Sequence, residues 1–186
     1  MMELLNYPVT TGIIAINILI FALVNLKKLD IEQLGSSYMT TIQNKQVYRV
    51  VTSAFTQREV MHLACNMYSL YNIGCAMEHI LYSGLYALCY GLIMIAGGLL
   101  SARIHKKEAP FTYSIGASGV ICGLLGIYMV IAFTVFGFSG LKSLVPTIVL
   151  LVVMTASKKI DSIGHFTGLL VGVLCGIVLV SVFRFG

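Results

Sequence analysis

Long apolar stretches separated by short polar segments constrain the fold of this 186-residue chain more than any other feature. A helix needs about 20 mostly apolar residues to cross a bilayer. Such stretches fall at residues 9–26, 60–81, 84–102, 113–136, 143–157 and 163–183. Only 10% of the residues are charged, whereas a soluble domain carries about a quarter. The sequence therefore predicts an all-α, polytopic membrane protein with six transmembrane helices.

The connections between these stretches are short, except for a loop over about residues 27–59. This loop mixes charged and aromatic residues, which predicts a structured segment at the membrane interface. No segment is long enough for a separate soluble domain, so we expect one membrane domain over residues 1–186. Basic residues follow the first span (Lys27, Lys28) and none precedes it, so we do not expect a cleaved signal peptide.

The placement of charge and of cysteine argues against several functions. The net charge is +5, but the basic residues lie in short loops, which disfavours nucleic-acid binding and favours contact with acidic lipid headgroups. The cysteines all fall within predicted spans and form no C-x-x-C pair, so we predict no metal site, cofactor or disulfide framework. They are Cys65, Cys75, Cys89, Cys122 and Cys175.

The second predicted span carries three polar residues on one face. His62, Asn66 and Ser69 follow the spacing i, i+4 and i+7, which brings side chains to the same side of a helix. Such a stripe most often forms hydrogen bonds between helices. Polar side chains within a membrane also mark functional sites, so both interpretations stay open.

Ser118 lies in the fourth span beside a stripe of glycines. Gly116, Gly119, Gly123 and Gly126 recur at intervals of three, four and three residues, so they share one side of a helix. A glycine stripe allows another backbone to approach unusually closely. By itself, this pattern indicates helix packing more often than catalysis.

The sixth span repeats this arrangement around a histidine. His165, Gly168, Gly172 and Gly176 also share one helix face. The second, fourth and sixth helices run in the same direction, and their polar residues all lie near the N-terminal ends, hence near one membrane face. Two glycine faces would permit the approach of about 2.6–3.2 Å that a hydrogen bond between serine and histidine requires.

Three short motifs together resemble the rhomboid family of intramembrane serine proteases. "HLACN" (62–66), "GASG" (116–119) and "GHFTG" (164–168) match the family's H-x-x-x-N, G-x-S-G and H-x-x-G. Each string alone is weak, but here all three occur in order on the second, fourth and sixth predicted helices. "YNIGCAMEH" also resembles the end of the family's second helix, with Glu78 at the position of its glutamate.

The resemblance implies an endopeptidase that cleaves in or near transmembrane segments of protein substrates. Ser118 would be the nucleophile and His165 the general base and then acid. Asn66, His62 and the backbone N–H of Ser118 would stabilise the oxyanion. Asp161 lies one turn before the histidine, where we expect a solvated loop role rather than a third catalytic group.

Two positions depart from the family pattern. Tyr48 and Arg49 stand where the family often has Trp-Arg, and Cys122 replaces an aromatic residue that stacks on the histidine. Cys122 leaves open a rhomboid-like protein that binds membrane clients without cleaving them. A small transporter with a polar path along the His62–Asn66 face is a further alternative, although the sequence has no evident internal repeat.

The distribution of basic residues conflicts with the orientation that the resemblance implies. The family has its active site outside the cytoplasm, so we expect an integral protein of the cell membrane with that orientation. Two basic residues, Lys142 and Arg184, lie on the opposite face. Ten lie on the active-site face, and the positive-inside rule would place them in the cytoplasm. They are Lys27, Lys28, Lys45, Arg49, Arg58, Arg103, Lys106, Lys107, Lys158 and Lys159.

Overall fold

A computed structural model describes residues 4–106, 110–142, 145, 149 and 161–183. The described residues form helices and no β-strand, with one isolated bridge between Ser36 and Ser114, so the all-α prediction is confirmed. The α-helices are α1 (Pro8–Asn25), α2 (Ile31–Leu34), α3 (Arg49–Ala54), α4 (Val60–Ser69), α5 (Cys75–Ile104), α6 (Ser118–Phe136), α7 (Phe138–Lys142) and α8 (Ser162–Val182). A 3₁₀ turn (Leu4–Asn6) and two π-helical segments (Tyr38–Gln43, Leu70–Gly74) complete them.

Four helical stretches among the described residues are long and apolar enough to cross a membrane. They are Pro8–Asn25, Val60–Ile104, Ser118–Phe136 and Ser162–Val182. The second has 45 residues, and a straight helix of that length would measure about 67 Å against a hydrocarbon core of about 30 Å. The helix is broken at the exposed Tyr82 (φ 58°, ψ 158°), where the sequence predicted the boundary between two spans. The span predicted at 143–157 lies outside the described residues, apart from Val145 and Val149.

The prediction that the fourth helix begins at residue 113 is wrong, because α6 begins at Ser118. Gly116 has a φ of +124°, which is incompatible with a right-handed helix. Its N–H donates to the carbonyl of Ser53 (2.9 Å), and Ser114 pairs with Ser36. The segment before Ser118 is thus held outside the helix by its bonds to the long first loop.

Helix α6 forms the centre of the fold. Within its most apolar 18 residues, 56% are buried, whereas the corresponding share in α1 is 17%. The most extensive contact of α6 is with α8. The facing pairs keep a constant offset of 49 residues, so the two helices run parallel. The pairs are Gly119 with Gly168, Gly123 with Gly172, and Ile127 with Gly176. At the first two pairs backbone meets backbone, with no space for a side chain.

The N-terminal end of α1 is fixed by a carboxylate from α5. Glu78 is 3% exposed and accepts hydrogen bonds from the N–H groups of Val9 (3.0 Å) and Thr10 (2.8 Å) and from the hydroxyl of Ser83 (2.7 Å). The first N–H groups of a helix lack intrahelical partners and carry partial positive charge. Glu78 satisfies two of them and thereby joins α1 to α5.

The long first loop is organised around a buried arginine. Arg49 donates from Nε to Gln46 Oε1 (2.6 Å) and from Nη1 to the carbonyls of Glu32 (2.7 Å) and Gly35 (3.1 Å). Thr52 also donates its hydroxyl hydrogen to a carbonyl of this loop. These bonds give the loop a defined conformation above the helices.

We expect Gly172→Ala to lower stability by about 1–3 kcal/mol, the usual cost of overpacking a tight interior. The new Cβ would overlap the carbonyl oxygen of Gly123, and neither backbone can yield without moving a helix. Thermal unfolding in detergent measures the effect. Gly91→Ala on α5 is the matched control, because nothing lies within 4 Å of its Cβ position and alanine favours helix. Equal melting temperatures for both variants would contradict the close approach.

Candidate active site

The side chains of Ser118 and His165 form a hydrogen bond. Ser118 Oγ lies 2.7 Å from His165 Nε2, and the two residues are 6% and 8% exposed. Ser118 is the first residue of α6, and His165 lies in the first turn of α8. The parallel glycine faces bring these two helix ends together. A hydroxyl and an imidazole at this distance can act as a nucleophile and its base.

Several donors lie around this pair. The N–H of Ser118 is at the N-terminus of α6, where backbone N–H groups have no intrahelical partner. The His62 ring packs against Gly116, with Cε1 2.9 Å from the position of a Cβ there. His62 Nε2 is buried and has no hydrogen-bond partner among the described residues. Asn66, one turn further along α4, is 1% exposed. The sequence placed Gly116 in the glycine stripe that packs against another helix. In the structure it lies before α6 and contacts His62 instead.

Asp161 supports the site through its backbone and its carboxylate, but the carboxylate has no hydrogen bond to the His165 ring. Its carbonyl accepts a hydrogen bond from the N–H of His165 (3.2 Å). The carboxylate accepts a hydrogen bond from the N–H of Gly164 (2.9 Å) and caps α8. It also accepts one from the hydroxyl of Ser114 and lies 3.3 Å from His105 Nε2. His165 Nδ1 has no partner within the described ranges. Asp161 thus joins three segments at the start of α8, which differs from the solvated loop role that the sequence indicated.

A cavity of about 70 Å³ adjoins the pair. Its lining combines the hydroxyl-bearing residues Ser36, Ser53, Ser101 and Ser114 with the small residues Gly97 and Gly98. A space of this size with several polar groups can hold water. The described residues contain no group of three or more His, Cys, Asp and Glu side chains arranged to hold a metal.

Sequence reasoning missed two buried amides that adjoin the site. Gln57 Oε1 accepts a hydrogen bond from Asn66 Nδ2 (2.9 Å), and Gln57 Nε2 donates to Asn17 Oδ1 (3.1 Å). A polar residue in the apolar first span was a signal for Asn17. Gln57 gave no signal, because it lies among polar loop residues. Cys122 is 6% exposed and belongs to the hydrophobic core.

A family model and several curated proteins that resemble this chain all indicate the same family. The family model described as "Rhomboid domain" matches residues 44–182, which is three quarters of the chain. The chain is 28% identical to Rhomboid-like protease 3 of Toxoplasma gondii over 147 residues, 75% of this chain and 54% of that protein. It is 28% identical to Rhomboid protease GluP of Bacillus subtilis over 169 residues, 86% of this chain and 32% of that protein.

A third relative matches over nearly its whole length. The chain is 24% identical to Putative rhomboid protease YdcA of Bacillus subtilis over 183 residues, which covers 94% of this chain and 90% of that protein. By contrast, the chain spans only about a third to a half of the length of the first two relatives.

We expect Asp161→Ala to loosen the first turn of α8, because the loss of an N-cap side chain costs about 0.5–2 kcal/mol. Hydrogen exchange at residues 162–166 should accelerate. The matched control is Asp30→Ala, which removes the cap of α2, where Asp30 accepts from the N–H of Glu32 (2.9 Å). Unchanged exchange at the start of α8 in Asp161→Ala would contradict this role.

Proposed function

The chain belongs to the rhomboid family, and on that premise we propose that it is a serine endopeptidase that cleaves peptide bonds in or near transmembrane segments of other proteins. The observation that carries the proposal is the 2.7 Å hydrogen bond between Ser118 Oγ and His165 Nε2. Both groups are buried at the ends of membrane-spanning helices, beside a cavity that is lined in part by serine hydroxyls.

Catalysis would begin with attack of Ser118 Oγ on the scissile carbonyl carbon, while His165 Nε2 takes the hydroxyl proton. The tetrahedral intermediate then collapses, and the imidazolium gives its proton to the departing amine. A water molecule, activated by the same imidazole, hydrolyses the acyl-enzyme and releases Ser118. No carboxylate takes part, in keeping with the bonds of Asp161 to other partners.

The oxyanion of the intermediate would be stabilised by the Ser118 N–H, the Asn66 amide and the His62 ring. The unpartnered His62 Nε2 beside Gly116 supports this assignment, because a buried imidazole nitrogen requires a partner. Removal of a single donor of this kind costs roughly 100- to 1,000-fold in kcat. Because three donors share the stabilisation, we expect an enzyme that has lost one of them to keep a trace of activity.

The substrate class follows from the location of the site. The carbonyl groups of a transmembrane helix are occupied by their own hydrogen bonds, so the substrate helix must unwind locally before attack. Small or helix-breaking residues near the membrane interface favour such unwinding. We therefore expect substrates with such residues, and membrane lipids are the other partners that the fold implies.

We also propose a six-helix topology. The break at Tyr82 divides the long stretch into two crossings, so the described residues supply five. Helices α6 and α8 are parallel, because Ser118 and His165 meet at their N-terminal ends. The chain must therefore return across the membrane between Phe136 and Ser162, and the apolar residues 143–157 are suited to this crossing.

For orientation, we propose that the site faces the outside of the cell. Two of the seven basic residues on this face that the structure describes have structural partners. Arg49 is bonded to loop carbonyls, and Lys106 Nζ lies 5.8 Å from the centre of the Tyr38 ring. Basic residues held in this way stabilise the loop. The positive-inside rule counts every basic residue alike, so residues with such a structural role weaken its prediction of topology.

We expect Ser118→Ala and His165→Ala to abolish cleavage, with losses on the order of 10⁶-fold, and Asn66→Ala to leave about 0.1–1%. Cleavage is measured by co-expression with a panel of single-pass membrane proteins. The control is Asn72→Ala, at a partly exposed asparagine further along the same stretch whose amide bonds to the carbonyl of Tyr68, and it should retain full activity.

A fluorophosphonate probe separates this function from the alternatives. The protease should be labelled at Ser118, whereas a transporter should not. Full cleavage by Ser118→Ala would end the proposal. A chain that is neither labelled nor able to cleave any substrate would contradict the protease and favour the client-binding protein, the alternative that Cys122 leaves open.

We expect a cysteine introduced by Thr112→Cys to react with an impermeant maleimide in intact cells. Thr112 is exposed and lies on the face of the site, whereas Ser139 lies beyond the far end of α6. Ser139→Cys should react only after permeabilisation, and the parent chain gives the background from its own cysteines. The reverse pattern would place the site in the cytoplasm.

A further inference from the structure

A continuous chain of side-chain amides runs from α1 to the proposed oxyanion donor. Asn17 Nδ2 donates to the carbonyl of Ile13 (2.9 Å), Gln57 Nε2 donates to Asn17 Oδ1 (3.1 Å), and Asn66 Nδ2 donates to Gln57 Oε1 (2.9 Å). Asn17 and Gln57 are fully buried, and Asn66 is 1% exposed. These amides come from α1, from the first loop and from α4, so the chain joins three separate segments.

One backbone group fixes the direction of every bond in this chain. A carbonyl oxygen can only accept, so the nitrogen of Asn17 must face Ile13 and its oxygen must face Gln57. Gln57 must then present its nitrogen to Asn17 and its oxygen to Asn66. Asn66 is left with its nitrogen toward Gln57. The orientation of the last amide is therefore determined by α1, two hydrogen-bonded side chains away.

The nitrogen end of Asn66 is bonded to an atom that adjoins the site. Gln57 Oε1, its acceptor, lies 3.5 Å from the position of a Cβ on Gly116, and the His62 ring touches the same position. An amide nitrogen has two hydrogens, so one remains after the bond to Gln57. If the amide were turned over, its oxygen would face the reacting carbonyl and repel the negative charge that develops there.

We propose that Gln57 is a positioning residue, anchored by Asn17, that holds the amide of Asn66 with its N–H groups toward the reacting carbonyl. This inference rests on the proposed protease function. The bond to Gln57 also polarises the Asn66 amide, since hydrogen bonds in series strengthen one another in a medium of low dielectric constant. Gln57 itself touches no reacting atom and acts only through Asn66.

The test compares Gln57→Met with Gln33→Met. Methionine retains the length of glutamine but has no amide, and Gln33 is an exposed glutamine of the same loop. We expect Gln57→Met to lower kcat by about 10- to 100-fold with KM within about twofold, because the effect is on a donor used in the transition state. Gln33→Met should change neither. Asn17→Leu should lower kcat less than Gln57→Met, since the bond from Asn66 to Gln57 survives.

A double-mutant cycle separates positioning from a merely structural role. In the Asn66→Ala background, Gln57→Met should change kcat by less than about twofold, because its effect passes through the missing amide. The same loss in both backgrounds would overturn the proposal.

Side-chain NMR gives a readout that does not depend on activity. In ¹⁵N-labelled protein, Gln57→Met should shift the NH₂ resonances of Asn66 and accelerate their exchange, and Gln33→Met should not. Unchanged Asn66 resonances in Gln57→Met would overturn the inference. A shift in a protein that does not cleave any substrate would retain the positioning role and refute the protease function instead.

Discussion

The close approach of α6 and α8 is the constraint on which the rest of the structure depends. Gly119 and Gly123 present their carbonyls directly to Gly168 and Gly172, so the two backbones touch along a parallel register. Only at this separation can a short serine side chain on one helix reach an imidazole on the other. The pair is thus a consequence of packing, and a side chain at Gly168 or Gly172 would force the two helices apart.

Satisfaction of buried polar groups is the second organising requirement, because the membrane interior supplies no water to replace a lost hydrogen bond. Carboxylates occupy two helix N-termini, with Glu78 bonded to α1 and Asp161 to α8. Arg49 binds the carbonyls of the first loop, and the amide of Gln57 links that loop to the transmembrane helices. Each connection fixes a segment that borders the site, so stability and site geometry depend on the same bonds.

Much of the molecule could be predicted because membrane helices leave a direct signal in hydropathy. The all-helical fold and the boundary near Tyr82 were visible in this way. The start of α6 was not visible, because the residues from 113 to 117 are apolar or small and resemble the helix that follows. The positive φ of Gly116 depends on contacts with another segment, which the local sequence does not show. The contacts of Asp161 with Ser114 and His105 were not visible for the same reason, since both partners are distant in sequence.

The sequence by itself determined the membrane class, the glycine faces and the spacing that singled out Ser118 and His165, because these are periodic properties of single helices. Tertiary structure alone decided which groups surround that pair, as with Gln57, which lies nine residues from Asn66 and 40 from Asn17 and bonds to both. Periodicity describes the faces of one helix, whereas the partner of a loop side chain depends on how several segments converge.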